Sequence, residues 1–245
     1  MSFFFAHPSK DIRIPKTHFI KSGVGSLHLH TLFSGMKPLY PNIEKYIRQL
    51  PKTHPVPAKR QVILRAIAEF IYRKHQKDEL AELVFICTHN SRRSHLAQIW
   101  ATIAINYHGL DNVICFSGGT EATSFHPNAI TALERAGCVV DKAGGKNPVY
   151  LVKFADAHKG IQAFSKKYND KYNPNKGFCA IMTCSEADEA CPVVLGMEKR
   201  ISLTYEDPKI ADGQVNEGHV YDDRCAQIAM EMFFMIGQVS TFNFR

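Results

Sequence analysis

Leu83-Val84-Phe85-Ile86 leaves this chain few folds. Four apolar residues without alternation are what a strand buried on both faces requires, and such strands are typical of parallel sheets. The run enters Cys87-Thr88-His89-Asn90-Ser91-Arg92-Arg93-Ser94, and a helical pattern follows from about Ser94 to His108. A second apolar run, Val113 to Phe116, ends in Ser117-Gly118-Gly119. His126-Pro127 opens another helix, closed by Gly137; Cys138-Val139-Val140 reads as a third strand and Phe178 to Thr183 as a fourth. Met230, Phe233, Phe234 and Val239 mark one face of a carboxy-terminal helix. Alternation of this kind predicts an α/β fold, a four-stranded parallel sheet with helices on both faces.

The chain before this unit reads differently. Residues 1–38 are poorly patterned, with scattered Pro, Gly, Ser and His, and form an N-terminal extension; His28 and His30 read as an incidental pair. From Pro41 the period becomes helical, with Ile43, Ile47 and Leu50 on one face and Pro51 as the stop. After a Pro-rich turn, Ile63, Ile67, Phe70 and Ile71 give a second amphipathic helix. This division predicts an extension over 1–38, a helical pair over 39–80 and a catalytic domain over 81–245. Two helices with one apolar face each cannot stand alone. They must pack on the following domain or on a second copy of the chain, which would make a homodimer.

Composition removes several function classes. The 245 residues are 45% hydrophobic and 22% charged, which excludes a disordered chain. No uncharged apolar run approaches the roughly 18 residues that would cross a bilayer, and MSFFFAHPSKD lacks the basic start of a secretory signal. The expected location is therefore the cytoplasm. The formal charge of +7 divides unevenly: residues 1–80 hold 14 Lys or Arg against 5 Asp or Glu, the remainder 16 against 18. With no zinc-finger spacing and no basic stripe interleaved with aromatics, nucleic acid is not an expected partner. Seven cysteines, none before Cys87, do not form a disulfide scaffold in that compartment. Cys115, Cys138, Cys179 and Cys225 sit in apolar contexts and read as core.

The turn after the first strand carries the chemistry. Ligands of open parallel sheets lie beyond the carboxyl ends of the strands, where this turn falls. Residues 88–94 (Thr88, His89, Asn90, Ser91, Arg92, Arg93, Ser94) are enough to curl backbone N–H groups into an anion nest closed by a helix amino terminus. Arg93, six residues after Cys87, adds a planar fork suited to two oxygens of a tetrahedral oxyanion. The same donors favour a thiolate, so Cys87 is the candidate nucleophile. Ser94 can hydrogen-bond the sulfur, and Asn90 can hold a strained turn.

These residues resemble the low-molecular-weight protein tyrosine phosphatase superfamily, and especially its thioredoxin-coupled arsenate reductases. The resemblance covers about residues 81–238. It rests on Cys87–Ser94, on Ser-Gly-Gly-Thr-Glu at 117–121 followed by His126-Pro127, and on Glu-Asp-Pro at 206–208. It implies a flavodoxin-like sheet, Asp207 as general acid, and a role for Cys184-Ser-Glu-Ala-Asp-Glu-Ala-Cys191. In the implied relay Cys87 attacks arsenate, Cys184 attacks the adduct, and Cys191 leaves a Cys184–Cys191 disulfide for thioredoxin to reduce. The resemblance implies no bound cofactor, with thioredoxin as external reductant. Two helical residues seven apart lie about 10 Å apart along the axis, whereas a disulfide needs Cα atoms within roughly 7 Å. The relay therefore predicts a mobile loop over 185–191. A zinc site at these cysteines is not expected, because no second cluster of ligands accompanies them.

The chain also departs from the family. Lys209 and Ile210 stand after Asp207-Pro208 where the phosphatases usually carry tyrosine, which speaks against phosphotyrosine selectivity. Gln98 replaces an acidic residue that several reductases use in a potassium site. Residues 142–177 exceed the usual length and form either a lid over the nest or a surface excursion. Three functions remain: arsenate reduction through Cys87, Cys184 and Cys191; phosphate-ester hydrolysis through Cys87, Arg93 and Asp207; or a non-catalytic module that binds phosphorylated ligands.

Overall fold

A computed structural model describes residues 37–142, 144–190 and 193–244, without the side chains of 190, 243 and 244. Expectations for residues 1–36, the His28–His30 pair among them, and for Cys191 lie outside the described residues. Strand β1 (Ala81–Cys87) pairs in parallel with β2 (Val113–Gly119) on one side. On its other side lies β6 (Phe178–Met182), which pairs in parallel with β7 (Met197–Ser202). The order is β2-β1-β6-β7, the four-stranded parallel sheet the sequence implies.

Its strands are not all the expected ones. The 138–140 run lies in β3 (Val139–Lys142), which belongs to a separate antiparallel sheet with β4 (Tyr150–Lys153) and β5 (Ile161–Ala163). Its place in the parallel sheet is taken by β7, Met-Glu-Lys-Arg-Ile-Ser, in which only Ile201 is buried. An edge strand needs few apolar residues, so β7 carries no hydrophobic run to announce it.

Alternation along β1 and β6 divides the interior in two. Leu83, Phe85, Cys179 and Ile181 face a large core, whereas Val84, Ile86, Ala180 and Met182 face a smaller one. Helices α1 (Pro41–Thr53), α2 (Ala58–Gln76), α3 (Arg93–His108), α4 (Pro127–Arg135) and α6 (Glu217–Val239) contribute to the large core. Helix α5 (Ser185–Ala190) places Ala187 in the smaller one. Helix α1 continues through Pro51 to Thr53, where the sequence suggested a stop at the proline. Ile43 and Leu50 of α1 and Ile67, Phe70 and Ile71 of α2 are buried within this chain, with both helices in contact with α6. None of the helices is long and apolar enough to cross a membrane among the described residues.

Candidate active site

The loop between β1 and α3 is shaped from outside by its carbonyls. Thr120 N–H donates to Cys87 O at 3.1 Å, and Glu121 N–H to Thr88 O at 2.8 Å. Ser165 Oγ donates to His89 O at 3.0 Å, and His126 N–H to Ser91 O at 2.9 Å. The carbonyls of Cys87, Thr88, His89 and Ser91 are thus all engaged by neighbouring segments, which fixes the course of the loop. Gly119 lets the neighbouring segment approach this closely: a Cβ there would stand 2.6 Å from Thr88 O and 2.7 Å from Asn90 N.

Asn90 pins the turn. Its φ of 45° is left-handed, a conformation that asparagine tolerates better than most residues. The fully buried side chain donates from Nδ2 to Ser94 Oγ at 2.9 Å and accepts Lys166 N–H on Oδ1 at 2.9 Å. Ser94 Oγ, having accepted from Asn90, is free to donate to Cys87 Sγ at 3.1 Å. Asn90→Ala is expected to destabilise the fold by about 2–3 kcal/mol, through two lost hydrogen bonds and an alanine forced into left-handed backbone. Asn90→Gly should recover only the backbone share, about 1 kcal/mol. Urea unfolding measures both, and an alanine variant as stable as the parent would show that the turn does not depend on this side chain.

The long segment between β3 and β6 is neither lid nor surface excursion at this point; it buttresses the nest from behind. Besides the Asn90 bond, Lys166 O accepts Gly119 N–H at 2.9 Å, and Ser165 Oγ accepts Thr123 N–H at 2.8 Å. Burial lowers the Lys166 ammonium to about 8, with its Nζ 4.7 Å from the centre of the Phe164 ring. His95, the second residue after Arg93, is fully buried and stacked on Phe125; burial holds its imidazole well below the ordinary range. It belongs to the packing behind the loop.

At the mouth, Arg93 is buried and turns toward Asp207. Its NH1 donates to Tyr205 O at 3.0 Å and its NH2 to Asp207 Oδ2 at 2.6 Å, with Glu186 Oε2 3.6 Å from NH1. Asp207 Oδ1 accepts Lys209 N–H at 3.1 Å, so the carboxylate caps the 3-10 turn Pro208–Ala211. A cleft of about 430 Å³ is lined by Thr88, His89, Arg93, Glu186, Asp207, Lys209 and Ile210. Arg92 behaves differently: its side chain leaves the nest for Tyr221 and Asp212.

Cys184 is fully buried in the smaller core with Cys87. Its Sγ lies 3.5 Å from Thr88 Oγ1 and accepts Ala187 N–H at 3.4 Å. Burial raises this thiol, opposed by the Thr88 hydroxyl, the Ala187 N–H and the charge of Arg93. Residues 185–190, expected as a loop, form helix α5. Cys115, Cys138, Cys179 and Cys225 are all buried, and burial raises Cys115, Cys179 and Cys225 to about 12. Gln98, also buried, donates from Nε2 to Cys115 O at 3.2 Å. No cluster of three His, Cys, Asp or Glu side chains is placed to hold a metal ion among the described residues.

Several contributors to this site carry no local signal. Lys166 and Tyr205 reach the loop through backbone atoms, Ser165 through a hydroxyl that nothing local marks, and Tyr221 and Asp212 gain their part only when folding joins them to Arg92. The Gly118-Gly119 pair was the one visible trace of the close approach.

No family model matches the chain. Among curated relatives, arsenate reductase 2 of Staphylococcus haemolyticus is 28% identical over 126 residues, 51% of this chain and 77% of the relative. The arsenate reductase of Bacillus subtilis is 26% identical over 142 residues, 58% of this chain and 84% of the relative. Among solved structures, a low-molecular-weight phosphotyrosine phosphatase from Vibrio cholerae has 13% identity and a TM-score of 0.43, covering 66% of this chain and 97% of that one. A structure described as an arsenate reductase in the phosphate binding state has 20% identity and a TM-score of 0.42, covering 65% of this chain and 99% of that one.

Proposed function

We propose that this chain, a relative of the arsenate reductases in the low-molecular-weight phosphatase superfamily, is a thiol enzyme acting on tetrahedral oxyanions, with arsenate as its principal substrate. The observation that carries the reading is that Cys87, with its Sγ 3.1 Å from Ser94 Oγ, begins the loop whose Thr88, His89 and Arg93 line the cleft, where Arg93 meets Asp207 at 2.6 Å. The nest binds the oxyanion, the Cys87 thiolate attacks arsenic, and Asp207 gives its proton to the departing oxygen, which leaves as water.

The reducing electrons come from thiols. Cys184 attacks Cys87 Sγ; the new S–S bond forms as the S–As bond breaks, and its electron pair stays on arsenic, releasing arsenite. Cys191 then attacks Cys184 Sγ, freeing the Cys87 thiolate and leaving a Cys184–Cys191 disulfide for a dithiol of the thioredoxin class to reduce. The place of Cys184 in the same packed cluster as Cys87, beside Thr88, supports the second step. A second reading, phosphate-ester hydrolysis through a phosphocysteine at Cys87, is favoured by the burial and raised thiol of Cys184. The nest serves both, since phosphate and arsenate share shape and charge.

Arsenate-dependent NADPH oxidation with thioredoxin and its reductase separates the two. The reductase reading expects turnover to vanish in Cys184→Ser and Cys191→Ser while p-nitrophenyl phosphate hydrolysis survives. No arsenate turnover, with ester hydrolysis indifferent to both substitutions, would leave the phosphatase.

A further inference from the structure

We propose that Arg92 is a positioning residue that holds the acid-bearing segment 206–212 over the nest through Asp212 and Tyr221. The proposal rests on the reading of Cys87 as nucleophile and Asp207 as acid. Although Arg92 lies in the anion loop, its Nε donates to Tyr221 Oη at 2.7 Å and its NH2 to Asp212 Oδ2 at 3.0 Å. Tyr221, fully buried on α6, donates in turn to Asp212 Oδ1 at 2.7 Å. The ring of His126 stacks on Tyr221 at 5.5 Å, and its Nε2 lies 3.8 Å from Asp212 Oδ2. The loop, the acid segment, α4 and α6 therefore meet at one guanidinium.

Asp207 and Asp212 bracket the same 3-10 turn, whose last carbonyls are closed by Asp212 N–H on Lys209 O at 3.0 Å. Fixing Asp212 thereby fixes Asp207. The direct bond from Arg93 to Asp207 cannot do this throughout the reaction, because an oxyanion in the nest competes for the same fork. Arg92 faces no such competition at its hydrogen bonds: Tyr221 and Asp212 are not among the residues lining the cleft, and its Nε also lies 3.9 Å from Asp207 Oδ1. As Cys87 attacks phosphorus and the P–O bond breaks, the electron pair goes to the leaving oxygen, which takes the proton of Asp207. A misplaced acid slows this step most when the leaving group is a poor one.

The test compares kcat/KM for phenyl phosphate and 2,4-dinitrophenyl phosphate, with competitive inhibition by inorganic phosphate as a gauge of the nest. Arg92→Ala is expected to lose at least tenfold more on the phenyl ester than on the dinitrophenyl ester. Phosphate inhibition should change less than threefold, and Arg92→Lys should restore part of the loss. Equal losses on both esters would reduce Arg92 to a structural residue and overturn the proposal. Tenfold weaker phosphate inhibition would overturn it too, by making Arg92 an anion ligand. A wild-type protein that hydrolyses neither ester would remove the cysteine-based reading itself.

Discussion

Cys87→Ser is expected to lower both arsenate and phosphate-ester turnover by at least about 10⁴-fold, as loss of an essential nucleophile does in other covalent enzymes. A serine hydroxyl is a far weaker nucleophile than a thiolate. The neighbouring Ser94 Oγ, at 3.1 Å, is oriented by Asn90 and donates to whatever atom occupies the sulfur position. The replacement keeps side-chain shape, so the outward hydrogen bonds of the loop carbonyls should persist and inorganic phosphate should still bind. Phosphate binding by calorimetry, run beside both turnover assays, separates the outcomes. Retained turnover would dismiss Cys87 as nucleophile; lost turnover together with lost phosphate binding would mean that the substitution had collapsed the nest.

The second large effect concerns stability and lies at the join between α2 and α6. Arg60→Ala should destabilise the protein by about 3–5 kcal/mol, because it leaves the buried carboxylate of Glu231 without its cation. Glu231 is 1% exposed. Arg60 grips it with both Nε and NH2, the latter at 2.7 Å from Oε2, and sends NH1 to Thr204 O at 3.0 Å. Tyr205 Oη also donates to Glu231 Oε2, at 2.7 Å, and its ring lies 4.7 Å beneath the Arg60 guanidinium. Since Tyr205 O is an acceptor for Arg93, this cluster ties α2 to the mouth of the cleft. Replacing both partners, Arg60→Met with Glu231→Leu, should recover most of the loss. The remaining deficit would be about 1 kcal/mol for the Tyr205 hydroxyl left without its acceptor. Urea unfolding of the single and double variants decides it; a single variant within 1 kcal/mol of the parent would show that Glu231 is not held as a charge.

The same cluster shows why a helical pair that precedes the sheet can matter to the site. Its apolar faces were legible in the spacing of Ile43, Leu50, Ile67 and Phe70, and the structure buries all four. That they rest against α6, and that Arg60 reaches Glu231 across 171 residues of sequence, was not. Amphipathic periodicity says that a face must be covered but carries no address for the covering surface.

The sequence by itself determined the strand-loop-helix unit at 81–108, because a continuous apolar run, a loop of fixed length and a helix amino terminus are local facts of order and spacing. It also marked Cys87, Asn90, Arg93 and Ser94 as one unit, since all four lie within eight residues and their geometry follows from one turn. Only the tertiary structure decided which strands share the parallel sheet. Val139-Val140 carries apolar residues yet pairs antiparallel with β4, whereas the charged β7 lies at the sheet edge beside β6. Strand partnership is an energy of pairs rather than of single segments, and an edge strand with one buried residue wins its place through backbone hydrogen bonds that any sequence can make. The orientation of Arg92 was settled in the same way: adjacent arginines in one loop point to different partners because Asp207 and Asp212 arrive from another part of the chain, on either end of one short turn.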